Sequence, residues 1–153
     1  SNFVICSGAK SILDLSKTNE LLETLGITRI GYQTNYMPGF WYEETENKVD
    51  NKFDEIHEIS SFLKLNENIE NKKSILIFNK VPFEKALNKN DVEKWINNAT
   101  IKADRNNISG KELTPFLIKE INEQSKNQTL NANVSLIINN ANLAGQIAKS
   151  FYS

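Results

Sequence analysis

Cysteine, histidine and methionine occur once each in these 153 residues, arginine twice and proline three times. A single cysteine rules out an internal disulfide and fits a reducing compartment. The lone histidine, His57, cannot anchor a zinc site without a second imidazole or a nearby thiolate. No Ser-His-Asp set can be assembled around it, and on an amphipathic helix it reads as a surface residue. No run approaches the roughly 20 apolar residues of a membrane-spanning helix. No signal peptide is visible ahead of the first strand, so a cytoplasmic protein with no membrane partner is expected. A formal net charge of -1 gives no electrostatic reason to expect nucleic acid or an anionic surface as partner.

What the chain has in plenty is asparagine, 22 residues, with 16 Lys against 2 Arg. This pattern looks like a coding bias. The four N-x-S/T sequons, at Asn98, Asn107, Asn127 and Asn133, are what such a composition produces by chance and are not read as glycosylation. Hydrophobic content of 39% and charged content of 24% describe an ordinary globular chain, of a length that fits one domain with a real core.

Strand and helix signals alternate. Phe3 to Cys6 is a continuous apolar run that reads as a strand buried on both faces. Leu13 to Leu25 carries apolar residues at helical spacing, with Ser16 or Thr18 as candidate caps and Gly26 as the stop. Ile27 to Tyr32 is a short strand, and Thr34 to Trp41, with Pro38 and Gly39, is a loop. Phe53, Ile56, Ile59, Ser60 and Leu63 mark one face of a second helix that fades near Asn66. Asn66 to Lys73 is the most loop-like stretch, followed by a strand over Ser74 to Phe78. Asn90 with Glu93 forms a capping box for a helix whose stripe is Val92, Trp95, Ile96, Ala99 and Ala103. Thr114-Pro115 starts another helix, with proline at its first position. A last helix spans about Thr129 to Ser150, its expected inner face carrying Leu130, Val134, Ile137 or Ile138, Ala141 and Ala144. Strands separated by helices predict a three-layer α/β/α fold with a mostly parallel or mixed sheet, and no boundary is seen between residues 1 and 153.

Lys10 is the leading candidate for chemistry. It follows Gly8 at the carboxyl end of the first strand, the edge at which open α/β sheets bind ligands. An amine desolvated there is held neutral and can attack a carbonyl, although most lysines in turns are simply solvated. Gly8-Ala9-Lys10-Ser11 is not a phosphate-binding P-loop. The residue before Lys10 is Ala, and Asn2, Phe3, Val4 and Ile5 provide no earlier glycine. Cys6, among apolar neighbours, reads as a small core residue. Glu43-Glu44 and Asp54-Glu55 read as solvated faces. Asn133 lies between Ala132 and Val134 in an apolar helix. A buried amide needs partners, and these are more often structural than a ligand's carbonyl and N–H edge.

The blocks Cys6-Ser7-Gly8-Ala9-Lys10-Ser11-Ile12-Leu13-Asp14, Leu22-Glu23-Thr24-Leu25-Gly26 and Gly31-Tyr32-Gln33-Thr34 resemble the pseudouridine-5'-phosphate glycosidase family, which includes the indigoidine synthase A-like proteins. The resemblance continues through Pro38, Phe40, Asn79, Pro82, Gly110-Lys111-Glu112 and Thr114-Pro115-Phe116-Leu117. It closes in Asn133, Leu136, Asn139-Asn140-Ala141, Leu143-Ala144 and Ile147-Ala148. It implies reversible cleavage of the C–C glycosidic bond of pseudouridine 5'-phosphate to uracil and ribose 5-phosphate. It places the catalytic lysine at Lys10, which attacks C1' and forms a Schiff-base adduct that serves as electron sink. It places a base-contacting asparagine at Asn133. No pair of carboxylates of the usual glycosidase kind is then needed.

The resemblance covers only the carboxyl-terminal half of a family member. It implies a general-acid glutamate, a manganese ion held by an aspartate, and most phosphate contacts, all upstream of the lysine, so their ligand residues are not on this chain. Lys80 stands where the family usually has the first proline of its Asn-Pro-x-Pro. The chain is therefore expected to be an incomplete half of a larger domain, inactive alone, partnered by a missing N-terminal half and assembled as a homo-oligomer, a trimer. Two alternatives stay open: a catalytically silent half-domain with a binding or assembly role, and another Schiff-base lyase acting on a sugar phosphate.

Overall fold

A computed structural model of the chain describes residues 3–69 and 74–153. Four strands, β1 (Phe3–Cys6), β2 (Thr28–Tyr32), β3 (Asn51–Phe53) and β4 (Ile75–Phe78), form one sheet in the order β1-β4-β2-β3. Every pairing is parallel: Phe3 lies opposite Ile75, Thr28 opposite Ile75 on the other side, and Ile30 opposite Asn51. The architecture is α/β, as the alternating signals predict. Part of the loop-like stretch Asn66 to Lys73 lies outside the described residues.

Among the described residues there are five α-helices: α1 (Leu15–Thr24) connects β1 to β2, α2 (Ile56–Glu67) connects β3 to β4, and α3 (Lys89–Arg105), α4 (Leu113–Gln124) and α5 (Gln128–Tyr152) follow the last strand. Ile30, Ile75 and Ile77 point to one face of the sheet and pack with Ile59 and Leu63 of α2 and Leu143 and Ile147 of α5. Arg29, which strand alternation points the other way, takes α1 as its cover. Its guanidinium bonds to Glu23 at 2.8 Å and to Asn19, and also engages Asp50. A second apolar cluster joins Trp41, Tyr42 and Val81 to Val92, Ala99 and Ala103 of α3, Leu117 and Ile121 of α4, and Ala132 and Leu136 of α5.

Several expectations are corrected. β1 is not buried on both faces: among the described residues it lies at the edge of the sheet, and Val4 is 48% exposed. An apolar run of four residues cannot by itself distinguish a central strand from an edge one. Asp14, not Ser16 or Thr18, caps α1 by accepting from the Lys17 amide, while Gly26 ends that segment at φ +64° as expected. Phe53 belongs to β3 rather than to the second helix. Asn88, not Asn90, caps α3. A 3₁₀ turn over Gly110–Glu112 leads into α4, so Pro115 is the third helical residue, still inside the first turn where no N–H is needed.

The largest correction concerns α5. Leu130, Val134, Ile137, Ile138 and Ala141 face solvent, Ala144 is half-buried, and the buried residues are Thr129, Ala132, Leu136, Leu143 and Ile147. The helix is apolar on two faces, and periodicity selects the wider one rather than the one that packs. Among the described residues, no helix is long and apolar enough to cross a membrane.

Candidate active site

The carboxyl end of β1 runs through buried Ser7 into Gly8, whose φ of +90° suits glycine alone. A Cβ on Gly8 would lie 2.1 Å from the Pro38 carbonyl oxygen, so the turn and the loop after β2 touch backbone to backbone. Two hydrogen bonds fix the same contact: the Phe40 amide donates to the Ser7 carbonyl at 3.1 Å, and Ser11 Oγ donates to the Gly39 carbonyl. Lys10 sits on this braced turn, its carbonyl accepting from the Leu13 amide at 2.9 Å. The residue is exposed. The described residues therefore hold the Lys10 backbone but do not supply the desolvation expected around its amine.

Behind the turn lies a buried polar junction. Asn140 of α5 donates to Ser7 Oγ at 3.0 Å and accepts from Asn79 Nδ2 at 3.1 Å. The Asn79 amide in turn donates to the Cys6 carbonyl at 2.9 Å. The ends of β1 and β4 are thus tied to each other and to α5 through side-chain hydrogen bonds, and no buried side-chain N or O atom among the described residues lacks a partner. Asn139, one residue away, donates to the Lys80 carbonyl at 3.1 Å.

Asn133 lies on α5 and is half-buried. Trp41 Nε1 donates to its Oδ1 at 2.7 Å. The two residues share a cavity of about 470 Å³ with Thr114, Pro115, Ile118 and Leu130. Lys10 does not line it. One segment nevertheless serves both candidates, since Pro38, Gly39 and Phe40 hold the Lys10 turn and Trp41, next in sequence, holds Asn133.

Thr34, Glu43, Glu44 and Lys80, none of them read from sequence as site residues, stand at the same sheet edge. Thr34, buried after β2, has its hydroxyl 2.9 Å from Glu44 Oε1. Lys80 Nζ lies 3.4 Å from that oxygen and 3.6 Å from Glu43. Glu43 and Glu44 keep the solvated face expected of them, Glu44 exposed and Glu43 half-buried, and add surface ion pairs to Lys80. Their signal was spatial, and adjacency in sequence did not carry it. His57 is exposed, as expected. Burial pushes the Cys6 thiol up, away from the thiolate a nucleophile needs. Among the described residues, no group of three or more His, Cys, Asp or Glu side chains could hold a metal ion.

Residues 1–150 match the family model described as indigoidine synthase A like protein. The pseudouridine-5'-phosphate glycosidase of Kosmotoga olearia is 43% identical over 145 residues, which is 95% of this chain and 50% of that protein. The enzyme of the same name from Staphylococcus aureus is 41% identical, over 95% of this chain and 47% of its own length. Among solved structures, the prealnumycin C-glycosynthase AlnA in complex with ribulose 5-phosphate superposes with a TM-score of 0.90 at 28% identity, over 97% of this chain and 49% of that one. An indigoidine synthase A-like protein from Thermotoga maritima gives a TM-score of 0.83 at 33% identity, over 95% and 48%. The chain spans about half the length of the curated relatives it matches.

Proposed function

This chain belongs to the indigoidine synthase A-like family, and from that premise we propose that it is the lysine-bearing half of an enzyme that cleaves and re-forms the C–C glycosidic bond of pseudouridine 5'-phosphate. The observation that carries this is the Lys10 turn. A lysine follows a parallel strand at its carboxyl end, where open α/β sheets generally bind ligands, and its backbone is fixed by Gly8 against Pro38 and by Ser11 and Ser7 against Gly39 and Phe40. Relatives named for this reaction align along 95% of the chain.

In the cleavage direction the neutral Lys10 amine attacks C1' and the C1'–O4' bond breaks, O4' leaving as a hydroxyl with the proton that the nitrogen gives up. As C5 of the base takes up a proton, the C1'–C5 bond breaks and the nitrogen lone pair closes the C1'=N iminium. Water hydrolyses the iminium, releasing ribose 5-phosphate and regenerating the amine. Asn133 contacts the base from the cavity it shares with Trp41. The general acid, the manganese ligand and most phosphate contacts belong to the half of the family's length that this chain does not span. That half also covers the exposed Lys10 amine, the working assembly is a trimer, and this half alone is inactive.

Borohydride trapping tests the assignment. Protein containing both halves, mixed with ribose 5-phosphate and reduced, gains one sugar phosphate on Lys10 as a stable secondary amine, read by peptide mass. If Lys10→Ala traps sugar as well as the parent does, the lysine is wrongly assigned. A second reading is C–C bond formation between a pentose phosphate and a different aromatic partner. It is favoured by the likeness to a C-glycosynthase solved with ribulose 5-phosphate. It keeps Lys10 and predicts trapping without cleavage of pseudouridine 5'-phosphate.

A further inference from the structure

We propose that Trp41 sets base specificity by fixing which way the Asn133 amide faces, so that the site accepts a uracil-type edge and rejects a cytosine-type edge. This deepens the proposed function and rests on its placement of the base at Asn133.

A carboxamide is nearly the same shape when its oxygen and nitrogen exchange places, and the two orientations present opposite hydrogen-bonding patterns. An indole N–H can only donate. With Trp41 Nε1 2.7 Å from Asn133 Oδ1, rotating the amide by half a turn would set N–H against N–H and leave the indole hydrogen unpaired. The indole cannot turn aside to permit this. Trp41 is buried among Val92, Ala132 and Leu136, its ring meets Phe40 edge-on at 5.7 Å, and its carbonyl accepts from the Leu87 amide at 2.8 Å.

The rest of the amide is free for a ligand. Among the described residues, Asn133 Nδ2 has no protein acceptor, and the residue lines the cavity beside Pro115, Ile118 and Leu130. The volume of about 470 Å³ is within the usual range for small-molecule sites, and the apolar lining suits the faces of a planar ring. Held as it is, the amide presents N–H donors and the second lone pair of Oδ1. That pair matches a carbonyl next to a ring N–H, which is the edge of uracil. On the C4 side of the ring, the edge proposed to face Asn133, cytosine presents an amino donor next to a bare ring nitrogen and needs the opposite orientation, whereas the N1–H beside the C2 carbonyl is common to both bases. A mismatch there pairs donor with donor and acceptor with acceptor, the kind of error that polar sites reject strongly.

The test compares parent and Trp41→Phe in protein containing both halves, using uracil and cytosine, each methylated at N1 so that no N1–H is offered, as competing inhibitors of pseudouridine 5'-phosphate cleavage. Borohydride trapping of the parent with ribose 5-phosphate is read alongside, to report the chemistry at Lys10 independently of the base. The expected result is a parent that prefers uracil and a variant whose uracil-to-cytosine ratio falls by roughly tenfold, the scale of one hydrogen bond. The fall comes from weaker uracil together with stronger cytosine inhibition. If Trp41 served packing alone, both bases would weaken together and the ratio would hold, and that outcome overturns the proposal. Should Trp41→Phe fail to fold, benzothienylalanine at position 41 in a Trp95→Phe background keeps the indole shape and replaces N–H with sulfur, and the same fall in ratio is expected. A parent that neither traps sugar nor binds uracil overturns the proposed function itself, and the specificity role with it. A parent that does both, with an unmoved ratio in the variants, overturns only the role of Trp41.

Discussion

Asn140 donates from Nδ2 to Ser7 Oγ at 3.0 Å, joining the last helix to the turn that carries Lys10 across 133 positions of sequence. The same side chain accepts from Asn79 at the end of β4. Ser7 is 2% exposed and Asn79 6%, so neither can turn to water if Asn140 is lost. Asn140→Ala should therefore cost about 2–4 kcal/mol, the penalty for stranding two buried polar groups. Asn140→Asp keeps the acceptor for Asn79 and leaves the Ser7 hydroxyl free to donate, so it should cost less. Urea midpoints of the two variants check the order, and a neutral Asn140→Ala would show that the junction does not stabilise the sheet edge.

Gly8 and Gly26 both have positive φ, but their surroundings differ. A methyl group on Gly8 meets the Pro38 carbonyl oxygen at 2.1 Å, whereas on Gly26 it meets nothing within 4 Å. Gly26→Ala should cost about 1–2 kcal/mol, the left-handed backbone penalty alone. Gly8→Ala adds a backbone collision and should cost roughly 3 kcal/mol or more, with loss of sugar trapping at Lys10 as the braced turn opens. Thermal melts compare the two directly. Equal costs would mean that the Gly8 turn is not pressed against Pro38.

Much of this architecture can be read from short local patterns. The apolar runs Phe3–Cys6 and Ile75–Phe78 announce parallel strands, Gly26 stops α1, and the stripe from Val92 to Ala103 faces the core. β3 escapes because Asn51-Lys52-Phe53 has two exposed polar residues and gains its strand character only by pairing with Ile30 to Tyr32. Lys10 is legible as a lysine beyond a strand end, but its brace from Pro38 to Phe40 is not, since nothing local to Gly8 predicts which carbonyl will press on it. Asn133 is legible as an amide in an apolar helix. Its partner Trp41 is 92 residues away, and only the fold brings the two together.

Adjacent residues on α5 test which of its two apolar faces the core uses. Leu136 is 4% exposed and Ile137 63% exposed. Leu136→Ala should cost about 2–5 kcal/mol, because it empties a packed site between α3, α4 and α5. Ile137→Ala should stay within roughly 0.5 kcal/mol, as surface changes usually do. Denaturant titration of this chain gives both values. The opposite order would restore the face expected from sequence, with Leu130, Val134 and Ile137 inward.

Asp14 makes the start of α1 sensitive to acid. Its carboxylate accepts from the Lys17 amide at 3.0 Å and lies 3.3 Å from the Lys17 ammonium. These interactions favour the ionised form and hold the Asp14 carboxyl below its ordinary value of 3.8, the backbone hydrogen bond contributing most. A carboxyl lowered by folding stabilises the fold above its unfolded value, and that contribution is lost as pH falls through the folded one. Between pH 7 and pH 5 the start of α1 should therefore hold steady. Below about pH 4 the cap should loosen, and amide exchange at Lys17 should quicken relative to that in α3. Asn caps helices about as well as Asp but does not titrate, so Asp14→Asn should keep the protection at neutral pH and remove the acid step, whereas Asp14→Ala should lose protection at every pH. Both side chains are largely exposed, at 82% for Lys17 and 52% for Asp14. Added salt should therefore weaken only the ion-pair part and leave the backbone bond in place. Exchange at Lys17 that ignores acid in the parent chain would remove Asp14 as the cap.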